Sequence, residues 1–235
     1  MLGLNDRIKK ASSYKGADFD GVDGIGIICR GPSVYRIDLC YNKFNCCYLS
    51  GEFNNSLLKI GKYINGKNVV LCTMQNDRYR TSVDNCKKYN IMNIQVPYQN
   101  GTKEYRDCIE KFSDLKVVGI EKEHYDILKR MNGGSDCKAI PVTGIFPLLS
   151  ALYYNPRNIY IIGMDFYNRS VKPYYVREEM DVVDYPRIYG SSVIFRKMMI
   201  DVLINVCESF VDTNIYLYTT YKGVKNHRNL HVFYV

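Results

Sequence analysis

Polar groups suited to binding an anion precede a short amphipathic helix near residue 145. Thr143 and Gly144 stand directly before an apolar stripe with the i, i+3, i+4, i+7 spacing of a helix packed on one side. The stripe consists of Ile145, Leu148, Leu149 and Leu152. A side-chain hydroxyl and backbone N–H groups gather at such a helix N-terminus, where the helix dipole favours negative charge.

A second candidate segment follows the next strand. Asn155–Asn158 has the composition of a turn, and Ile159–Ile162 is a run of β-branched and aromatic residues typical of a strand buried on both faces. The loop after it, Gly163–Tyr167, contains Asp165 and Tyr167. Because ligands of open α/β sheets bind beyond the carboxyl ends of the strands, we expect chemistry in this loop.

The first strand ends in a comparable loop. Gly24–Cys29 reads as a strand and runs directly into Arg30, Gly31, Pro32 and Ser33. A glycine at this point lets the backbone approach a phosphate or a ribose, and Ser33 can cap the turn that follows. An ordinary strand-to-helix turn explains these residues equally well when they are taken alone.

The remaining elements must position these loops. Further strands are predicted at 46–50, 68–73, 91–96, 116–120 and 214–218, with a helix-compatible link at 102–114 and helices at 121–131 and 191–210. This alternation predicts an α/β class with a Rossmann-like, mainly parallel sheet and helices on both faces. We expect a single domain over residues 1–235, with a mobile lid at 168–190, where no periodicity is visible.

Bulk composition narrows the functional classes. The 235 residues carry a formal charge of +8, which favours an anionic ligand, but no basic run indicates sequence-specific nucleic-acid binding. Nine cysteines without a CxxC pair predict reduced, buried thiols and a cytoplasmic location. No signal peptide or transmembrane segment is recognisable, and peripheral membrane contact and oligomerisation stay open. The excess of Lys, Asn, Ile and Tyr is typical of an AT-rich genome, for example that of a virus or a parasite.

Two blocks of sequence together resemble a known family. Ile27–Val34, followed by Ile37 and Asp38, resembles the "GNGPSL…ID" nucleotide loop of bacterial sialyltransferases. Val142–Ile145 and Ile159–Tyr167 resemble their "TSG…A…EIYLSGIDFY" segment. The blocks cover about forty residues, and the second is the more specific. Their order and separation also agree with the sialyltransferase-like superfamily of glycosyltransferases.

The resemblance implies a GT-A variant fold and inverting, metal-independent transfer from CMP-sialic acid to a glycan acceptor, with no cofactor beyond the donor. It places Gly31, Pro32 and Ser33 on the cytidine and ribose side, and Thr143 and Gly144 at the phosphate or the sugar carboxylate. Tyr167, with Tyr174 or Tyr175 on the lid, would hydrogen-bond the leaving phosphate. Asn54 matches an amide of the second loop more loosely, and Asp165 completes the set of donor-binding candidates.

Two departures from the family pattern leave alternatives open. Arg30 replaces the loop asparagine and could pair with phosphate oxygens, indicate a different nucleotide, or indicate that no donor binds. The stretch Asp181–Ser191 lacks the histidine that serves the family as base, so Asp184 is the candidate proton acceptor, and a solvated loop acid is the competing interpretation. His227 and His231 of the tail are alternative bases, although a tail histidine is more often a surface residue. The rival function is therefore a non-catalytic module of the same fold that binds a nucleotide, a glycan or a protein. Phosphoryl transfer is a weaker third hypothesis, because the sequence has no P-loop and no paired-acid metal site.

Overall fold

Eight strands form one parallel sheet in the computed structural model, which describes residues 6, 19–51, 55–72, 87–120, 144–166 and 185–235. Every neighbouring pair runs parallel, in the order β5-β4-β3-β2-β1-β6-β7-β8. The strands are β1 Gly24–Ile28, β2 Cys46–Ser50, β3 Asn68–Cys72, β4 Ile91–Gln99, β5 Lys116–Ile120, β6 Asn158–Ile162, β7 Asn214–Thr219 and β8 Leu230–Tyr234.

Helices cover both faces of this sheet. They are α1 Asn55–Ile64, α2 Lys103–Lys111, α3 Ile145–Leu152 and α4 Tyr185–Ser209, and two 3₁₀-helices, Pro32–Leu39 and Tyr41–Lys43, lie between β1 and β2. One core joins α3 and α4 to one face of the sheet, and a second core joins the first 3₁₀-helix, α1 and α2 to the other. The predicted α/β class with a parallel sheet covered on both faces is confirmed.

Helix α1 and the two 3₁₀-helices were not predicted, and the predicted elements differ from the structure in four further places. Strand β4 continues through Pro97 to Gln99, and its pairing with β5 is irregular between Gln95 and Gln99, where proline is tolerated. Helix α3 is buried on all sides rather than on one stripe, because both the sheet and α4 enclose it. Helix α4 begins at Tyr185 rather than 191, so residues 185–190 of the predicted lid are helical, and residues 168–184 of it lie outside the described part. The edge strand β8 was not predicted.

The strand order reverses direction at β1. From β1, strands β2 to β5 extend to one side and β6 to β8 extend to the other. Such a switch point opens a crevice outside the carboxyl ends of the two central strands, because their connections leave in opposite directions. Here these strands are β1 and β6, the two strands that carry the predicted loops.

Candidate functional site: the crevice beyond β1 and β6

The ends of β1 and β6 approach each other so closely that only glycine fits between them. The Cys29 N–H donates to the Ile162 carbonyl and the Gly31 N–H to the Gly163 carbonyl, each at 2.7 Å. Gly163 has φ +79°, and a Cβ there would collide with the Cys29 carbonyl oxygen. A Cβ at Gly31 would collide with the Asp165 carboxylate. Both glycines therefore serve internal packing, whereas the sequence suggested that Gly31 admits a ligand.

Asp165 connects three strand ends through its two carboxylate oxygens. Oδ2 accepts from the Ser33 N–H and the Ser33 hydroxyl, each at 2.9 Å. Oδ1 accepts from the Thr219 hydroxyl at 3.2 Å and from the Thr220 N–H at 2.5 Å. The side chain is 3% exposed, and four hydrogen bonds fill the usual accepting capacity of a carboxylate. Asp165 thus holds the loop after β1 against the ends of β6 and β7.

Ser33 has an equally complete set of partners. Its hydroxyl lies 3.1 Å from the Tyr218 carbonyl oxygen and accepts a hydrogen bond from the Gly163 N–H at 2.8 Å. The residue is buried at the start of the first 3₁₀-helix, directly after Pro32 at the first helical position. Gly31 occupies the cap position and the helix has no side-chain cap, so the predicted capping role of Ser33 is wrong; Pro32 already has the φ that the first helical position requires. Ser33 fixes the loop from within.

The N-terminus of α3 is attached to the end of β2. Gly144 precedes the helix with φ +87°, and its N–H donates to the Ser50 hydroxyl at 3.0 Å. A Cβ at Gly144 would lie 2.9 Å from the Cys29 sulfur, so glycine is needed for this approach. Burial raises the pKa of Cys29 to about 12, which keeps the thiol protonated and unreactive at neutral pH. The arrangement holds the start of α3 against the carboxyl ends of β1 and β2.

Arg30 supplies positive charge at this edge of the sheet. It follows β1 and is partly exposed, and its Nε would lie 3.2 Å from a Cβ at Gly51, the residue after β2. The Gly51 N–H donates to the Cys72 carbonyl at 2.8 Å, so β3 anchors the loop under the guanidinium. Arg30 therefore lies above the ends of β1 and β2, on the same edge as the α3 N-terminus.

The chain leaves β6 through a strained and well-supported residue. Phe166 is 1% exposed and has φ +50°, which is unfavourable for a bulky side chain. Arg196 of α4 donates from Nε to the Phe166 carbonyl at 2.8 Å, and its guanidinium lies 4.9 Å from the centre of the Tyr221 ring. The Tyr221 ring in turn lies 5.7 Å from that of Phe166. These contacts hold the backbone and the ring of Phe166 in place at the end of the loop after β6.

The structure brings together six of the eleven predicted site residues. Arg30, Gly31, Pro32, Ser33, Gly144 and Asp165 lie along the carboxyl edge formed by β1, β2 and β6. Asn54, Thr143, Tyr167, Tyr174 and Asp184 lie outside the described residues, so their roles stay predictions.

Two of the three histidines lie away from the crevice. His231 stacks on Tyr216 within the sheet, with ring centres 5.0 Å apart, and His227 lies 3.7 Å from Glu208 near the end of α4. The third, His124, is outside the described part. Within that part, no group of His, Cys, Asp or Glu side chains is arranged to hold a metal ion. The seven cysteines described are all free and buried, as predicted.

Sequence reasoning missed Ser50, Thr219, Thr220 and Arg196. Ser50 ends a predicted strand and Thr219 directly follows one, but nothing local distinguishes them from other residues at strand ends. Their partners, Gly144 and Asp165, are 94 and 54 positions away, so only the sheet order brings them together. Arg196 was missed because only the apolar positions of its helix follow a recognisable pattern in the sequence.

Comparison with solved structures identifies the fold. The monofunctional α-2,3-sialyltransferase Cst-I of Campylobacter jejuni matches with a TM-score of 0.52 and 17% identity, over 89% of this chain and 78% of that one. The sialyltransferase CstII of the same organism, described in complex with a substrate analogue, cytidine-5'-monophosphate, matches with a TM-score of 0.54 and 14% identity. The match covers 89% of this chain and 84% of that one. The chain has a sialyltransferase-like fold. No protein-family model and no curated protein matches it by sequence.

Among the described residues, no helix is both long and apolar enough to cross a bilayer.

Proposed function

We propose that this protein is a metal-independent, inverting glycosyltransferase that uses a nucleotide-activated sugar, with CMP-sialic acid as the first donor to test. The observation that carries the proposal is that the loop Gly31–Ser33, which we call the GPS loop, lies with the α3 N-terminus and Arg30 on one edge of the sheet, at the switch point between β1 and β6. Ligands of open α/β sheets bind at such a switch point. The fold shared with two sialyltransferases supports the choice of donor.

The described residues divide into two roles. We assign Arg30 and the positive end of the α3 helix dipole to the phosphate of the donor, because a guanidinium and a helix N-terminus both favour phosphate oxygens. Asp165 and Ser33 position the loop that receives the nucleotide, since their hydrogen-bonding groups are used within the chain. We therefore assign Asp165 to positioning rather than to donor contact.

The catalytic step needs a leaving phosphate and a proton acceptor. Transfer breaks the bond between the sugar and the phosphate oxygen, and the acceptor hydroxyl forms the new bond from the opposite face while it loses its proton. We assign Tyr167 to stabilising the departing phosphate, Tyr174 to the same task, and Asp184 to accepting the proton. Asn54 and Thr143 complete the donor contacts in this proposal. The viral origin and the cytoplasmic location stay predictions.

A binding module of the same fold is the second candidate. The observation in its favour is that His227 and His231 both lie away from the crevice. A chain without a working base would still bind nucleotide at Arg30 and α3. It would release no CMP in excess of the spontaneous hydrolysis of the donor.

Turnover with CMP-sialic acid and a panel of glycan acceptors, in the presence of EDTA, tests the proposal. We expect acceptor-dependent release of CMP. Changing Tyr167 to Phe should lower kcat by about 100-fold with little change in KM, because the hydroxyl is needed only as charge develops on the phosphate.

Tyr153→Phe is the matched control for this experiment. Tyr153 caps the C-terminal end of α3, is 37% exposed, and should keep wild-type turnover. If Tyr167→Phe turned over like Tyr153→Phe, Tyr167 would have no role in the step. Tight CMP binding without any acceptor-dependent release would favour the binding module.

A further inference from the structure

An exposed surface on one face of the sheet combines cations with apolar side chains. It lies on the two 3₁₀-helices, on α1 and on the turn before β3, and we call it the basic-aromatic face. Its members are Tyr35, Arg36, Asp38, Leu39, Tyr41, Lys43, Lys59, Lys62, Tyr63 and Lys67. Five cations and one carboxylate give it a net charge of +4, half of the formal charge of the whole chain.

Direct contacts make this surface continuous. Lys59 donates to the Tyr35 hydroxyl at 3.4 Å and lies 5.1 Å from the centre of its ring. The Tyr41 and Tyr63 rings are 5.1 Å apart, and Lys62 lies 4.8 Å from the centre of the Tyr63 ring. These contacts join α1 to both 3₁₀-helices, through Lys59 and Tyr35 on the first and through Tyr63 and Tyr41 on the second.

The cations of the surface are not equivalent. Lys67 donates to the carbonyl oxygens of Tyr41 and Phe44 at 2.6 Å each, so it holds the turn before β2 in place. Arg36 pairs with Asp38 at 3.5 Å. Lys43, Lys59 and Lys62 are exposed, and within the described part none of the three has a carboxylate partner. These three ammonium groups give the face its outward positive charge.

Apolar exposure is concentrated at the same place. Tyr35 is 42% exposed, Leu39 36% and Tyr41 37%, and these three fall within seven consecutive residues. They are three of the eight large apolar side chains that are exposed in the described part. Tyrosine is favoured where water meets hydrocarbon, since its ring is apolar and its hydroxyl stays hydrated.

Single-stranded nucleic acid and an anionic bilayer would both match this positive charge. The geometry of the tyrosine rings decides between them. Single-stranded nucleic acid binds by stacking its bases on open aromatic faces. Here Lys59 already lies over the Tyr35 ring, and Lys67 and the Tyr63 ring lie against Tyr41. A bilayer needs no open ring face, because its anionic headgroups meet the lysines and its interface takes up partly inserted side chains.

We propose that the basic-aromatic face docks this protein on an anionic lipid bilayer. Lys43, Lys59 and Lys62 contact lipid phosphate or carboxylate groups, and Tyr35, Leu39 and Tyr41 enter the interface. The face begins two residues after Ser33, so a docked molecule holds one edge of the crevice close to the lipid surface.

Sedimentation with vesicles tests the docking without any sugar donor or acceptor, so its result is independent of the proposed function. We expect binding to phosphatidylcholine vesicles that contain about one third phosphatidylserine and no binding to pure phosphatidylcholine. Changing Lys43, Lys59 and Lys62 together to Gln should weaken the partition about fivefold for each lysine, or roughly 100-fold in all. Leu39→Ser should weaken it at unchanged charge.

The control is a second triple variant with the same loss of charge. Lys111, Lys222 and Lys225 are exposed outside this face, and changing all three to Gln should leave most of the binding intact. Equal loss in both triple variants would overturn the proposal, since net charge alone would then explain the binding. Binding to a single-stranded oligonucleotide without binding to anionic vesicles, or equal binding to neutral vesicles, would overturn it as well.

Discussion

Changing Asp165 to Asn tests whether this side chain organises the crevice. The carboxylate accepts from a backbone N–H on each side, that of Ser33 through Oδ2 and that of Thr220 through Oδ1. An amide has one accepting oxygen and one donating nitrogen. Either orientation of Asn therefore leaves one of these two N–H groups facing an NH₂ group, and neither backbone can turn away from it.

The expected loss follows from these contacts. A buried N–H without an acceptor costs about 1–3 kcal/mol, and the hydrogen bonds that remain lose the extra strength that a charged acceptor gives. Together, these two losses should lower the free energy of unfolding by about 4 kcal/mol. For a chain of this size we expect the melting temperature to fall by about 8–16 °C.

Urea unfolding of Asp165→Asn beside Asp212→Asn measures the effect. Asp212 is exposed in the turn before β7, so its change removes the same charge and should cost less than about 0.5 kcal/mol. Equal midpoints for the two variants would refute the reasoning, because Asp165 would then be no more than a charge. If Asp165→Asn is too unstable to purify, Ser33→Ala removes the partner hydroxyl and should lower the free energy of unfolding by a smaller amount.

Two further predictions concern stability. Gly163→Ala should lower the free energy of unfolding far more than Gly66→Ala. Both glycines have positive φ, but only at Gly163 would a Cβ collide with backbone atoms. In urea unfolding, Gly66→Ala should lower the free energy of unfolding by about 1–2 kcal/mol. Equal costs would contradict the packing argument. The free energy of unfolding should also fall above about pH 9, by roughly 1 kcal/mol per pH unit for each buried thiol. The thiols concerned are Cys29, Cys40, Cys46 and Cys207, whose pKa burial raises to about 12. The folded chain therefore keeps protons that the unfolded chain releases. A free energy of unfolding that stays constant from pH 8 to 10 would contradict this prediction.

Local sequence predicted most of the sheet for a physical reason. A strand buried on both faces must be apolar along its whole length, and runs such as Ile159–Ile162 make this visible without any knowledge of the fold. Pro97 was misleading, because proline usually ends an internal strand but is accommodated in β4 by an irregular register. The edge strand β8 was missed since it pairs only with β7 and has exposed residues at its end.

The site was predictable in position but not in its internal connections. The GPS loop and the loop after β6 could be placed on one edge, because the carboxyl ends of parallel strands lie together. That Asp165 turns inward could not be foreseen, since Ser33 is 132 positions away. The same holds for Gly31, whose lack of a side chain makes room for that carboxylate rather than for a ligand. Contacts this distant depend on the sheet order, which no local pattern encodes.

Calorimetric titration of CMP into the protein, in EDTA, tests the central claim that the crevice is a donor site. We expect metal-independent binding that Arg30→Gln weakens by about 10- to 100-fold, the value of a hydrogen-bonded ion pair to phosphate. Arg157→Gln, an exposed change in the turn before β6, should leave the affinity unchanged. No binding of CMP, or equal affinities for the two arginine variants, would contradict the account.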